Sequence, residues 1–210
     1  CWTNRDCALW FADYAALMAR RYGDRVKRFA TFNEFSVFTL FGYAIDWGAP
    51  GVTDRAAHLR AIHHVNLAHG LAAGLLRDAV PGVSIGAIHN RQKVVPASDS
   101  EADKQAARLL DEHWNLAFPE PQLRGAYTPL LAQAIEPYMR AGDLAQICRR
   151  IDWFGLNHYG PIFARADASW IWGYAWADPP PSDQKTDIGW SIFPQAFADE
   201  LLALTRRYKL

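Results

Sequence analysis

The sequence predicts an α/β fold built on a parallel β-sheet. After an opening helix, three short, apolar, β-rich segments alternate with longer helical segments. Parallel strands joined by right-handed helical crossovers have this rhythm. Polar side chains also stand where the predicted strands end, and functional groups collect at that edge of a parallel α/β sheet.

The first predicted elements are a helix, a strand and a long second helix. The first helix spans about residues 4–21, because Asn4 is a suitable N-cap and Gly23 marks the end. We expect its apolar stripe to pack in the core. The stripe consists of Trp10, Tyr14, Leu17 and Met18. The strand covers Val26–Phe32, and the second helix covers about residues 54–79.

The second predicted helix carries four histidines, at positions 58, 63, 64 and 69. A metal site on a helix needs two ligands on one face, typically four residues apart. His64 and His69 are five apart and have no suitable acidic partner. We therefore predict no metal site and assign these histidines to packing and hydrogen bonding.

The second half of the chain predicts two more strands and further helices. Val83–Ile88 is short, apolar and β-rich, and Asp152–Asn157 reads as the third strand. Ser98 and Glu101 have the capping-box spacing for a helix that runs to about Trp114.

The last part of the chain predicts a loop and then a helix. Residues 164–185 are loop-like, because they contain three consecutive prolines and no clear periodicity. The final helix begins with Pro194 in its first turn and is expected to bury Phe197, Leu201 and Leu204.

The composition favours a globular protein without a polyanionic partner. Lys+Arg and Asp+Glu balance at 22 each, so nucleic acid is not an expected partner. Half of the residues are hydrophobic, and no apolar run is long enough for a membrane span. The three cysteines lack metal-binding spacing, and a sparse, odd set is typical of a reducing compartment, with ordinary packing as the alternative. We predict a cytoplasmic location.

The most informative stretch is Val26–Gly51, in which a carboxylate follows a buried strand. Glu34 stands at the exit of that strand beside Asn33, and an aromatic run follows it. A carboxylate in such surroundings is a candidate general acid. Thr31 and Glu34 also have capping-box spacing before an apolar run, so the pattern alone leaves a helix cap open.

Motifs along the whole chain resemble those of one enzyme family, in the family's order. The matching stretches are Trp2–Asp6, Trp10–Tyr14, Thr31–Glu34, Phe41–Tyr43, Ala49–Gly51, Asp152–Tyr159, Thr186–Trp190 and Phe193–Pro194. They resemble family 1 glycoside hydrolases, the β-glucosidase family. The resemblance implies a retaining β-glycosidase that hydrolyses terminal β-D-glycosides, with a small β-glycoside or oligosaccharide as substrate and no cofactor.

The resemblance also implies a partial (β/α)8 TIM barrel, with about strands four to six and helices three to six. A complete barrel needs roughly 250 residues, whereas this sequence has 210 and begins with Cys1. We therefore expect residues 1–210 to be one incomplete barrel domain, truncated at both ends. Three strands cannot close a barrel, so we expect the isolated piece to fold poorly.

The resemblance assigns roles to four residues beside the strand ends. Glu34 is the acid/base, and Asn33 binds the sugar 2-hydroxyl. Tyr159 hydrogen-bonds the nucleophile and orients it, and Asn157 supports the same sugar subsite.

Other residues are candidates for substrate contact. Trp190 lies inside a matched motif, and Asn90 stands by position at the exit of the second strand, where a turn residue is the alternative. Trp170, Trp172 and Trp176 of the predicted loop offer faces that suit the C–H side of a pyranose, with core packing as the alternative.

Three questions stay open at this point. Phe35 stands where the family has Pro, and since proline would push Glu34 towards an extended backbone, the aim of this carboxylate is less fixed. The family places the nucleophilic Glu beyond Leu210, while Asp46 and Asp187 on predicted loops remain candidates. A non-catalytic sugar-binding relative and a structural α/β fragment with Glu34 as a helix cap are the alternative functions.

Overall fold

The computed structural model describes residues 1–209, which form two three-stranded sheets and eight α-helices. The strands are β1 (Arg28–Asn33), β2 (Ser84–Asn90), β3 (Val94–Pro96), β4 (Trp153–Asn157), β5 (Ile162–Ala166) and β6 (Tyr174–Ala177). The helices are α1 (Asp6–Tyr22), α2 (Phe35–Tyr43), α3 (Arg55–Ala79), α4 (Glu101–Asp111), α5 (Pro119–Arg124), α6 (Pro129–Ile135), α7 (Asp143–Ile147) and α8 (Pro194–Tyr208).

The first sheet is parallel and consists of the three predicted strands, in the order β1–β2–β4. Arg28 pairs with Ser84 at the start of β1 and β2, and Asn90 pairs with Asn157 where β2 and β4 end. The carboxyl ends of the three strands therefore meet at one edge. The predicted α/β class with a parallel sheet is confirmed.

Helix α1 packs on α3 through alanines rather than through the predicted stripe. Trp10, Tyr14 and Leu17 are 58%, 56% and 51% exposed, so their assignment to the core is wrong. The buried positions of α1 are mostly alanine, and they form an apolar cluster with alanines and Leu76 of α3 and with Ile85 of β2. Small side chains let the two helices approach closely, which turns the bulky stripe outwards.

Helix α3 contacts strands β1 and β2 of the first sheet and also helix α7. A Cβ atom at Gly70 would lie 2.0 Å from the carbonyl oxygen of Gln146, so only glycine fits at this crossing. Asp54 caps the helix by accepting a hydrogen bond from the Ala57 N–H at 2.6 Å. None of the helices in residues 1–209 combines the length and apolar character needed to cross a bilayer.

The second sheet takes up part of the predicted loop over residues 164–185, namely 164–166 and 174–177. Strands β5 and β6 form an antiparallel hairpin, and β3 pairs with β5 in parallel. Ala164 and Tyr174 are fully buried against α2 and α4, in a cluster that includes Leu40 and Leu110. The loop prediction is therefore wrong for residues 164–166 and 174–177, where apolar positions are buried in strands, whereas residues 178–184, with their three prolines, lie outside the strands.

Two further helix predictions need correction. Ser100, not Ser98, caps α4, and its hydroxyl accepts from the Asp103 N–H at 3.1 Å. Of the three side chains that α8 was predicted to bury, Leu204 is buried, whereas Phe197 and Leu201 are 43% and 44% exposed. The C-terminal turn of α8 is held by hydrogen bonds that Arg207 and Tyr208 donate to Glu120 of α5.

Candidate active site

Glu34 lies at the exit of β1, between the strand and helix α2. Its N–H donates to the Ile88 carbonyl of β2 at 2.8 Å, so the end of the strand fixes its position. Its backbone is left-handed, with φ 55° and ψ 59°. A non-glycine residue pays of order 1–3 kcal/mol for a sparsely populated backbone of this kind, and such strain clusters at functional sites.

The carboxylate of Glu34 is held by two donors from the region of β4. Its Oε1 accepts from Asn157 Nδ2 at 2.8 Å and from the Tyr159 hydroxyl at 3.1 Å. Asn157 Nδ2 also donates to Asn33 Oδ1 at 3.1 Å. Within the described residues both donors reach Oε1, which leaves Oε2 available to another group. The structure thus brings four of the predicted site residues together at one edge of the sheet.

The helix-cap interpretation of Glu34 is wrong. Its side chain forms no capping hydrogen bond to α2, although the residue occupies the N-cap position. Thr31, the other half of the capping-box pattern, bonds His69 Nδ1 through its hydroxyl at 2.7 Å. The left-handed backbone aims the Glu34 carboxylate at Asn157 instead of at the helix start.

Tyr159 remains a protonated donor beside this carboxylate. Desolvation, followed by its hydrogen bond to Glu34, raises the pKa of Tyr159 above its usual value. The ring is still 47% exposed and meets the indole of Trp190 at a centroid distance of 5.2 Å. Trp190 is equally exposed and is held by hydrogen bonds with Thr186. The two rings form an accessible aromatic surface next to Glu34.

Asn90 lies at the same sheet edge but is packed away from solvent. It is 5% exposed, and its Oδ1 accepts a hydrogen bond from Gln92 Nε2. Gln92 in turn exchanges hydrogen bonds with Asn115 and receives one from Trp114. Asn90 therefore belongs to a buried polar network under the site, and its direct contact with substrate stays a prediction.

The three predicted loop tryptophans do not join Trp190. Trp170 and Trp176 pack with Trp47, whose ring stacks on Trp176 at 5.3 Å. Trp172 donates through its indole nitrogen to His58 and packs on His113. The ring contacts therefore place these side chains in two groups away from Trp190, and the participation of Trp47 in the first group was not predicted.

A stack of three rings next to Glu34 was not predicted from the sequence. Phe35 is 1% exposed and stacks on His89 of β2, which stacks on Phe154 of β4. Burial lowers the pKa of His89 well below its usual value, so the imidazole is neutral. The only sequence signal was the position of these residues next to strand exits.

The histidines of α3 are engaged in hydrogen bonds. His63 contacts Asp143 at 2.8 Å and Tyr127 at 3.1 Å, and His64 contacts the Trp2 carbonyl oxygen at 2.8 Å. Across residues 1–209, no group of three or more His, Cys, Asp or Glu side chains is arranged to hold a metal ion.

The family model described as glycosyl hydrolase family 1 matches residues 1–210, and the chain belongs to this family. Its curated relatives include a β-glucosidase from Agrobacterium sp., 36% identical over 214 residues, with 100% of this chain and 47% of the relative covered. β-Glucosidase A from Thermotoga maritima is 33% identical over 200 residues, with 92% of this chain and 44% of the relative covered.

Solved structures give the same result. The psychrophilic β-glucosidase from Micrococcus antarcticus matches with a TM-score of 0.89 and 32% identity, over 99% of this chain and 49% of that one. The T. maritima β-glucosidase in complex with deoxynojirimycin matches with a TM-score of 0.85 and 31% identity, over 99% and 47%. The prediction of a partial (β/α)8 barrel is confirmed, and the chain spans about half the length of the relatives it matches.

Proposed function

We propose that the whole protein is a retaining β-glycosidase of the β-glucosidase type, which hydrolyses terminal β-D-glycosides with Glu34 as its acid/base. The observation that carries the proposal is the placement of the Glu34 carboxylate. It projects from a strand end towards Asn157 and Tyr159, at 2.8 and 3.1 Å, instead of capping the helix that follows.

In the first step, Glu34 protonates the departing glycosidic oxygen. Its Oε1 is occupied by two donors, so Oε2 is the oxygen that we assign to the transferred proton. A nucleophilic carboxylate about 5–5.5 Å away attacks the anomeric carbon from the opposite face. Glu34, now deprotonated, then removes a proton from the water that hydrolyses the glycosyl-enzyme, which retains the configuration.

The neighbouring residues bind the sugar and order the carboxylates. Asn33 is exposed and offers its amide to the 2-hydroxyl, where hydrogen bonds strengthen in the transition state. Trp190 offers a half-exposed aromatic face on which an apolar sugar face can stack. Tyr159 has one proton, so when the nucleophile is present we assign that proton to the nucleophile, with Asn157 retaining Glu34.

We place the nucleophile in a part of the protein outside these 210 residues. Asp54 caps α3, and Asp152 accepts from the Ile85 N–H at 2.9 Å and pairs with Arg77. Asp46 lies in the turn after α2, with its carboxylate next to Gly51. Since Asp54 and Asp152 have structural partners, the family's Glu is the better candidate, and the reaction needs only carboxyl groups and water.

The cysteines are all free thiols in the described residues, which supports the proposed cytoplasmic location.

The test is a Glu34→Ala variant of the full-length protein, assayed on two β-D-glucosides. One carries an alkyl leaving group that needs protonation, and the other carries a dinitrophenyl group that does not. We expect kcat/KM for the alkyl glucoside to fall by about 10²–10⁴-fold, the usual worth of general acid catalysis, and the dinitrophenyl glucoside to be much less affected.

Two controls complete this test. Azide, a small nucleophile that needs no general base, should restore the turnover of the dinitrophenyl glucoside by the Glu34→Ala variant and yield a β-glycosyl azide. Equal activity of the variant and the wild type on both substrates would favour a different acid. A wild-type protein that binds glucosides but turns over neither would favour the non-catalytic sugar-binding relative.

A further inference from the structure

The backbone of Glu34 needs an external constraint to keep its carboxylate aimed. Its left-handed φ of 55° is uncommon for a residue with a Cβ atom. The Glu34 N–H bonds to Ile88 at 2.8 Å, and its carbonyl accepts from the Val37 N–H at 3.0 Å. The β1–β2 register also shifts between Ala30 and Asn33, just before this point. The strand alone thus leaves the junction between β1 and α2 irregular.

Phe35, the next residue, has a buried side chain that packs against rings from neighbouring elements. It is 1% exposed and lies among the rings of Phe32, Phe118 and His89, at centroid distances of 5.2, 5.2 and 4.8 Å. The Phe35 and His89 rings are nearly parallel, with an interplanar angle of 18°. Aromatic rings at such distances attract each other beyond simple burial.

The stack continues across the sheet to the strand that holds the carboxylate's partner. His89 also stacks on Phe154 at 4.5 Å with an interplanar angle of 9°. Phe154 lies on β4, three residues before Asn157, which donates to Glu34. One column of three rings therefore connects the residue after Glu34, the middle strand and the strand that supplies Asn157.

We propose that Phe35 is a positioning residue, whose ring, held on His89 and Phe154, sets the direction of the Glu34 carboxylate. This inference rests on the proposed role of Glu34 as acid/base. In this chain, side-chain packing of the ring column holds the junction, and no proline restricts the backbone there. A proline at position 35 would disfavour helical conformations of Glu34 and would remove the ring from the column.

The test compares Phe35→Ala, Phe35→Leu and Leu131→Ala in the full-length protein. Leu131 is fully buried in the same hydrophobic cluster as Phe35, so its truncation is a matched control for lost packing. The Phe35→Leu variant keeps much of the apolar volume but not the stacked ring. It can therefore still be assayed if Phe35→Ala does not fold. Each variant is assayed with the alkyl and the dinitrophenyl β-D-glucoside, and kcat/KM reports the first chemical step.

We expect Phe35→Ala and Phe35→Leu to lower kcat/KM for the alkyl glucoside by about 10–100-fold more than for the dinitrophenyl glucoside, because a misplacement near 1 Å costs up to about 10²-fold. Leu131→Ala should affect both substrates equally. The inference is overturned if the Phe35 variants also affect both substrates equally. If Glu34→Ala itself shows no difference between the substrates, the proposed function fails first, whatever the Phe35 variants do.

Discussion

At the scale of single residues, the number of N–H or O–H groups on each donor limits how many acceptors it can serve. Tyr159 and Asn157 both donate to Oε1 of Glu34, and Asn157 also donates to Asn33. The Asn157 amide has two N–H groups and can serve both acceptors at once, whereas the Tyr159 hydroxyl can serve only one. In the proposed function, Tyr159 is therefore the residue whose hydrogen bond changes from Glu34 to the nucleophilic carboxylate.

Buried histidines make the stability of the fold sensitive to acid. His69 is fully buried, and burial lowers its pKa to about 4. Between pH 6.5 and about 4 the unfolded chain binds a proton at this position that the folded chain does not. Stability is thus fully present above pH 6.5 and falls as the pH drops towards 4, by roughly 3 kcal/mol for this group.

We expect the midpoint of thermal unfolding of the full-length protein to fall between pH 7 and pH 4.5, and to fall less in a His69→Gln variant. Glutamine keeps a polar partner for the Thr31 hydroxyl, which contacts His69 at 2.7 Å, but does not titrate. Calorimetry at a series of pH values measures the slope. Identical slopes for the variant and the wild type would contradict this assignment.

At the scale of elements, helix α3 contains two glycines with opposite requirements. A Cβ atom at Gly70 would lie 2.0 Å from the backbone oxygen of Gln146, whereas a Cβ atom at Gly74 would meet no heavy atom within 4 Å. We expect Gly70→Ala to destabilise the fold by about 1–3 kcal/mol, because α3 and α7 must separate. Gly74→Ala should stabilise it by about 0.5–1 kcal/mol, because alanine favours the helix.

Urea unfolding of the two glycine variants in the full-length protein measures both effects. The pair is matched, since the change and the helix are the same and only the surroundings differ. Equal effects of the two substitutions would mean that the close contact between α3 and α7 does not contribute to stability.

The strands of the first sheet and helix α3 were predictable because local patterns and packing agree there. An apolar β-rich run predicts β2, and Asp54 predicts the start of α3. The buried face of α1 was not predictable. Alanines and aromatic residues both recur at helical spacing, and only packing on α3 decides which set is buried. The β5–β6 hairpin was missed since its strands have only five and four residues and are joined by an irregular segment, residues 167–173.

The same distinction holds for the candidate site. Asn33 and Glu34 were predictable from their place at the exit of a strand in a parallel sheet, whereas Asn157 and Tyr159 were predicted from the resemblance to family 1 glycoside hydrolases. The column of Phe35, His89 and Phe154 was not, since stacking between rings on different strands depends on register. The burial of Asn90 depends in the same way on Gln92 and Asn115, which approach from another segment.

At the scale of the whole molecule, the three parallel strands have unpaired outer edges within the described residues. Strands β1 and β4 each pair only with β2 in that sheet. Three strands cannot close a barrel, and an exposed strand edge is a site for association with other chains. The chain spans 47% of the Agrobacterium relative, and in a closed barrel the outer edges of β1 and β4 would each pair with a further strand.

We therefore expect residues 1–210, expressed alone, to hydrolyse no aryl β-glucoside. Retaining hydrolysis needs two carboxyl groups on opposite sides of the bond, and Glu34 supplies only one of them. The assay measures release of nitrophenol from 4-nitrophenyl β-D-glucoside by the isolated piece, with circular dichroism to establish how much of it folds. Turnover that a Glu34→Gln substitution abolishes would show that the second carboxylate lies within these residues, and the exposed Asp187 would then be the first candidate.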